Sequence, residues 1–262
     1  MTLNLKLRLI TALFLGISLL SVLWFAQAKY FLTIITIGCV VGAWEWLGLA
    51  KIKNIYLRLV LTVAFALILF SSQYIDSYYW LMLGVVWWGL AWISLPFFPK
   101  YTKCLFKPTL TIFSGLVILL ATWHGFFALQ NNPELISLLF LIIWSADSGA
   151  YFVGKSYGRH KLAFNISPKK TIEGAFGGLL VAVVLSVIYL YFIDGFKLEW
   201  LSLIILIVVF SIIGDLIISC YKRQANIKDS GNLLPGHGGI LDRIDSLLAT
   251  TPLFAMFWSL IE

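Results

Sequence analysis

LEWLSLIILIVVFSIIGDLIISCYKRQANIKDSGNLLPGHGGILDRID, residues 198–245, opens as an apolar run and closes in charge. Its first part, Trp200 to Tyr221, is about 20 residues long, enough for a helix to cross a hydrocarbon core of about 30 Å. Similar runs fill the chain: Leu9 to Ala28, Tyr30 to Ala50, Leu59 to Tyr74, Tyr78 to Leu95, Leu110 to Leu129, Leu135 to Val153, Gly174 to Ile193 and Ile244 to Leu260. Of the 262 residues 61% are hydrophobic and 12% charged, whereas a soluble domain carries about 25% charge. The sequence therefore predicts an all-α, polytopic transmembrane helical bundle of about nine transmembrane helices.

Charge between the runs supplies a topology, because membrane proteins keep lysine and arginine in cytoplasmic loops. With the N-terminus cytoplasmic, all of the 19 Lys and Arg except Lys29 and Lys197 fall on that side. The opposite loops hold Asp76, Glu134, Asp194 and Glu199, and the C-terminus is predicted to be periplasmic. The net charge of +7 then reflects topology and anionic phosphate, and no nucleic-acid partner is expected. Lys6 and Arg8 precede an apolar run ending Ala26-Gln27-Ala28, which imitates a signal peptide. The run exceeds a signal core of about 7 to 15 residues and another follows at once, so an uncleaved helix is expected. Cys39, Cys104 and Cys220 lack metal-type spacing and are given no role.

Two cytoplasmic loops, 155–173 and 222–245, are longer than the rest, rich in glycine and dense in polar residues. Function is expected there. The chain accordingly divides into N-terminal transmembrane helices for packing and anchoring, 1–130, and a C-terminal transmembrane catalytic half, 131–262. Glu45, between Trp44 and Trp46, is either functional or a residue that reaches the interface.

In the second loop, Asp215, Ser219 and Lys222 lie at i, i+4 and i+7 and share one helix face. Asp242 and Asp245 are three apart at the start of the last helix, a geometry suited to a metal. Mg²⁺ prefers oxygen ligands, commonly one or two carboxylates with substrate phosphates, and Asp215 would complete the set. Gly236, Gly238 and Gly239 let backbone approach a ligand closely, and the helix start beyond them offers N–H groups to an anion. Lys222, Arg223, Lys228 and Arg243 add charge-assisted hydrogen bonds to phosphate, and Asp229 stands beside them. His237 is either an acid–base group or a residue that shapes the turn. The whole describes a polyphosphate site.

A second cluster starts at Asp147, inside the sixth run, with Tyr151 and Gly154 following on its face. A carboxylate in a membrane helix costs about 2.5 to 3.5 kcal/mol on insertion scales, so it serves either a site or a helix-pairing hydrogen bond. Ser167, Lys169 and Lys170 follow in Ser167-Pro168-Lys169-Lys170-Thr171, and then Glu173. Gly174, Gly177 and Gly178 permit close helix packing. Positive-inside sorting accounts for many of these cations, but not for the acids accompanying them.

The pattern K-R-x4-K-D-x-G-x3-P-G-H-G-G-x2-D-R-x-D from Lys222 to Asp245 closely resembles the signature of phosphatidate cytidylyltransferases, also called CDP-diacylglycerol synthases. Asp147-Ser148-Gly149-Ala150-Tyr151 with Gly154, and the Ser-Pro-x-Lys-Thr-x-Glu-Gly run, are similar to that family too; together these cover about the C-terminal half. The resemblance implies a bacterial inner-membrane enzyme that takes CTP and phosphatidic acid, uses Mg²⁺ with one or two cations bound, and feeds phospholipid synthesis. It further implies membrane lipid as surroundings and a homodimer as assembly. The aspartates matching Asp215 and Asp242 belong to the family's metal centre, and the serine matching Ser219 to its active site. One departure stands out: Gly-Asp-Leu-x-Glu-Ser would put glutamate at 218, where this chain has Ile218. That alters a second cation site, or a neighbouring carboxylate compensates. Among rival readings, a CDP-alcohol phosphotransferase lacks its D-G-x2-A-R signature here, and a transporter would place polar residues on both sides of the bilayer midplane.

Overall fold

The computed structural model describes residues 16–97, 107–193, 197–231 and 238–261. Among them the helices are α1 (Gly16–Phe25), α2 (Ala28–Leu49), α3 (Ile55–Ser72), α4 (Ser77–Ser94, followed by a 3₁₀ turn Leu95–Phe97) and α5 (Pro108–Leu129). After α6 (Pro133–Tyr157) comes a hairpin of β1 (Lys161–Ala163) and β2 (Ser167–Thr171), and then α7 (Ile172–Ile193), α8 (Leu198–Gln224) and α9 (Leu241–Ile261). Every predicted apolar run overlaps one of these helices. Seven of them, α2 to α8, are long and apolar enough to cross a membrane, and the chain is a polytopic helical membrane protein.

Local chemistry sets the helix starts. Asn54 caps α3 by accepting hydrogen bonds from the Tyr56 and Leu57 N–H groups at 3.0 and 3.2 Å, and Asp76 caps α4 by accepting from Tyr78 N at 2.9 Å. Pro108 and Pro133 open α5 and α6, where a missing N–H costs nothing. The run predicted from Leu59 begins four residues earlier because Arg58 is held inside the first turn of α3. Its Nε donates to Trp44 O at 2.7 Å, and its guanidinium lies 4.2 Å from the Trp44 ring centroid.

Both polar loops are shorter than the sequence predicts, since α6 continues to Tyr157, α8 continues to Gln224 and α9 starts at Leu241. The antiparallel hairpin, with Lys161 opposite Thr171 and Ala163 opposite Ser167, is the exception to an all-α reading. Glu173 secures its entry by accepting from Arg159 N at 3.1 Å, from His160 N at 3.2 Å and from His160 Nδ1 at 2.6 Å.

Tight crossings fix the bundle. At Gly178 a Cβ would lie 2.5 Å from Ala146 O, and at Gly174 it would lie 2.8 Å from Ala150 O, so α6 and α7 pack backbone to backbone. α9 is packed against α5, α8 and α4, with Leu248, Ala249, Thr250, Thr251 and Phe254 fully buried. Its first turn carries Asp242, Arg243 and Asp245, which sets it apart from the seven apolar spans.

Candidate active site

At one end of the bundle the last turns of α2, α6 and α8, the β hairpin and the first turn of α9 converge on a group of charged side chains. Gly214 lets α9 approach α8 there: a Cβ on it would lie 2.8 Å from Asp245 O and 2.9 Å from Ala249 Cβ. The crossing sets Asp245 against the turn of α8 that carries Asp215. One helical turn on from Asp215, Ser219 donates from Oγ to its Oδ1 at 3.3 Å. Lys170, on β2, places Nζ 2.5 Å from Asp215 Oδ2, and Asp147 is within electrostatic reach of both Lys170 and Asp215. The two sequence clusters thus form one site.

A second ion pair joins Lys222 Nζ to Asp242 Oδ1 at 2.7 Å. The other Asp242 oxygen, Oδ2, accepts from Ser230 N at 2.8 Å, Gly239 N at 3.0 Å and Ser230 Oγ at 3.1 Å. Asp242 therefore ties together both ends of the glycine-rich loop. Gly238 has φ +79°, a left-handed conformation that a side chain disfavours, and a Cβ there would lie 2.7 Å from Asp242 Oδ2.

Beside the carboxylates lies a cavity of about 220 Å³ between α6, β2, α7 and α8. Asp147, Lys169, Lys170 and Thr171 form its polar wall, and Ala146, Ala150, Gly178, Val208 and Ile212 its apolar depth. Tyr151 also lines it, exposed, with Lys155 Nζ 5.7 Å from its ring centroid.

Other predicted residues stand further out. Arg223 is exposed, with Nε 3.5 Å from Ile166 O, and Lys228, Asp229 and Arg243 are exposed as well. Ser167 is taken up in the hairpin. His237 lies outside the described residues. Among the described residues no three of the His, Cys, Asp and Glu side chains form a ready metal-binding group. Both oxygens of Asp215 and both of Asp242 carry protein partners, and Asp245 stands beside Asp215 across the α8–α9 crossing. A pair of carboxylates fits a Mg²⁺ ion that takes its remaining ligands from phosphate and water.

Ile218, at the position where a glutamate belongs to the related pattern, is fully buried in the main apolar core. Sequence reasoning missed the part played by Glu45, which is 3% exposed and accepts from Ser230 Oγ at 2.8 Å, Ile240 N at 2.9 Å and Leu241 N at 2.9 Å. The signal for it was a carboxylate set between two tryptophans on an apolar helix. Ser230, which joins Glu45 to Asp242, carried no signal of its own.

A polytopic bundle with cations and carboxylates gathered at one end, beside a half-apolar cavity, defines a membrane protein equipped for anionic, phosphate-bearing ligands. Residues 6–261 match the cytidylyltransferase family, and the chain belongs to it. Relatives named phosphatidate cytidylyltransferase include one from Pseudomonas aeruginosa, 39% identical over 97% of this chain and 97% of the relative. Another, from Haemophilus influenzae, is 34% identical over 97% and 98% of the two chains. A third, from Bacillus subtilis, is 35% identical over 95% and 96%.

Proposed function

We propose that this chain transfers the cytidylyl group of CTP to phosphatidic acid, giving CDP-diacylglycerol and pyrophosphate in phospholipid biosynthesis. The observation that carries the reading is the cavity that sets Lys169 and Lys170 above an apolar floor and opens beside the Asp215–Asp245 carboxylates, in a chain of the cytidylyltransferase family. A lipid phosphate matches that pairing of cations and apolar surface.

In this reaction a phosphate oxygen of phosphatidic acid attacks the α-phosphorus of CTP, and the bond to the β-phosphate breaks as pyrophosphate leaves. The attacking oxygen is already ionised near neutral pH, so no side chain has to remove a proton from it. Lys169 and Lys170 hold the lipid phosphate, while Lys222 and Arg223, near the end of α8, are assigned to the triphosphate of CTP. These cations offset the repulsion between two anionic reactants, and the transfer proceeds by positioning and electrostatics with no covalent enzyme intermediate. Asp215, Asp242 and Asp245 would hold Mg²⁺, which would supply charge neutralisation for the phosphates. Asp242 sets the glycine-rich loop beside them.

The same reading puts the site on the cytoplasmic face of a bacterial inner membrane, with the N-terminus inside and the C-terminus outside. The distribution of lysine and arginine between the helices supports it, and the relatives are bacterial. The exposed apolar faces of α3 and α4 provide surface for membrane lipid or a second copy, and a homodimer is the assembly that follows from the family resemblance.

Purified protein in detergent, given phosphatidic acid, Mg²⁺ and labelled CTP, should carry label into the lipid phase, and EDTA should stop it. A folded preparation that labels no lipid would overturn the reaction. Labelling that persists in EDTA would overturn the metal assignment.

A further inference from the structure

Glu45 belongs to α2, far in sequence from the glycine-rich loop, yet the first turn of α9 is built on it. The N–H groups at a helix start have no partner within the helix. Here Ile240 N and Leu241 N both donate to the Glu45 carboxylate at 2.9 Å, one to each oxygen. A negative charge at that position also suits the positive end of the helix dipole. Two glycines make room for it. A Cβ on Gly231 would lie 2.6 Å from Glu45 Oε1, and a Cβ on Gly239 would fall on Ser230 Oγ and Glu45 Oε2.

The arrangement continues toward the charged site. Ser230 Oγ lies 2.8 Å from Glu45 Oε2 and 3.1 Å from Asp242 Oδ2, so its single hydrogen bridges the two carboxylates. Asp242 in turn receives Lys222. The neighbouring residue keeps Glu45 in place. Trp46 donates from its indole Nε1 to Thr111 O at 2.6 Å and packs with its ring centroid 4.9 Å from that of Tyr221, locking α2 against α5 and α8.

We propose that Glu45 is a positioning residue for cytidylyl transfer: through Ser230 and the Ile240 and Leu241 amides it holds the start of α9 so that Asp242 faces Lys222. The inference rests on the reaction proposed above. A glutamine cannot substitute, because all three groups around the carboxylate are donors and the amide would turn its own N–H₂ toward one of them. Glu45→Asp keeps the charge on a shorter arm.

Hydrogen exchange of the purified full chain, with turnover measured on the same samples, tests this. In Glu45→Gln the Ile240 and Leu241 amides should exchange about tenfold faster or more than in wild type, while the amides of α6 and α7 keep their rates. Turnover number should fall about 10- to 100-fold with the KM for CTP changed less than about threefold, as expected when reacting groups are misplaced and binding is retained. Glu45→Asp should recover part of both. Unchanged exchange at Ile240 and Leu241, a uniform rise across the chain, or faster exchange with full turnover would each overturn the proposal. Exchange does not depend on which reaction the site performs, so failure in that arm counts against Glu45 alone. A folded wild type that makes no lipid product counts instead against the reaction.

Discussion

Two lysine–carboxylate pairs lie at the same end of the bundle, made of the same chemistry and set in different surroundings. Lys222 and Asp242 join α8 to α9 with side chains 11% and 6% exposed. Lys170 and Asp215 join the hairpin to α8 with side chains 27% and 30% exposed, beside the cavity. Removing one partner of a buried pair leaves an uncompensated charge and costs about 3 to 5 kcal/mol, whereas more exposed pairs contribute about 0 to 1 kcal/mol. The first pair is therefore a fixed part of the framework. The second costs less to open than the first, and a phosphate can take the place of Asp215 on Lys170.

Four substitutions would break or sharpen that contrast. Asp242→Asn should have the largest effect, lowering turnover by about 1,000-fold or more while the protein remains inserted, because Lys222 and the loop amides lose one anchor together. Gel filtration in detergent with the lipid-labelling assay measures both, and activity near wild type would remove Asp242 from the site. Lys170→Ala should lower kcat/KM for phosphatidic acid by about 10- to 100-fold, with the KM for CTP affected much less. A loss as large as that of Asp242→Asn, or one that falls on CTP, would erase the distinction between the pairs.

Gly178→Val acts on the support of the exposed pair. It forces α6 from α7 where Ala146 O lies in the way of any side chain, and overpacking of this kind costs about 1 to 3 kcal/mol. The apparent Tm should fall, and phosphatidic acid use should weaken more than CTP use. An unchanged Tm would show that the crossing has slack. Arg223→Ala should be mildest, raising the KM for CTP about two- to fivefold without changing kcat, as befits an exposed cation contacting substrate. Unchanged kinetics would assign Arg223 to membrane topology.

The sequence shows the spanning helices clearly, because an apolar run long enough to cross lipid leaves little choice of structure. It also shows the charged clusters, since acids beside basic loops are not what sorting requires. Contacts between distant segments are harder to read. Nothing near Lys170 in sequence predicts Asp215 as its partner, and nothing near Glu45 predicts Ile240 and Leu241. The β hairpin went unseen because Ser167 to Thr171 is short, polar and broken by Pro168, and its entry is held by Glu173 rather than by strand propensity. Ile218 shows the reverse case: a departure from the family pattern is plain in the sequence, and burial in the core explains why an apolar residue suits this chain.

The bond from Leu241 N to Glu45 spans 196 positions, and this gives biosynthesis an order. α2 leaves the ribosome early and enters the bilayer with a carboxylate whose helix partner has not been made. Because α9 follows α2 in the chain, the glycine-rich segment gains its anchor only when α9 docks. Completion of the site thus waits on the synthesis of α9. A nascent polypeptide that stalls before α9 has most of its spanning helices in the membrane and an acid among them still waiting for its partners.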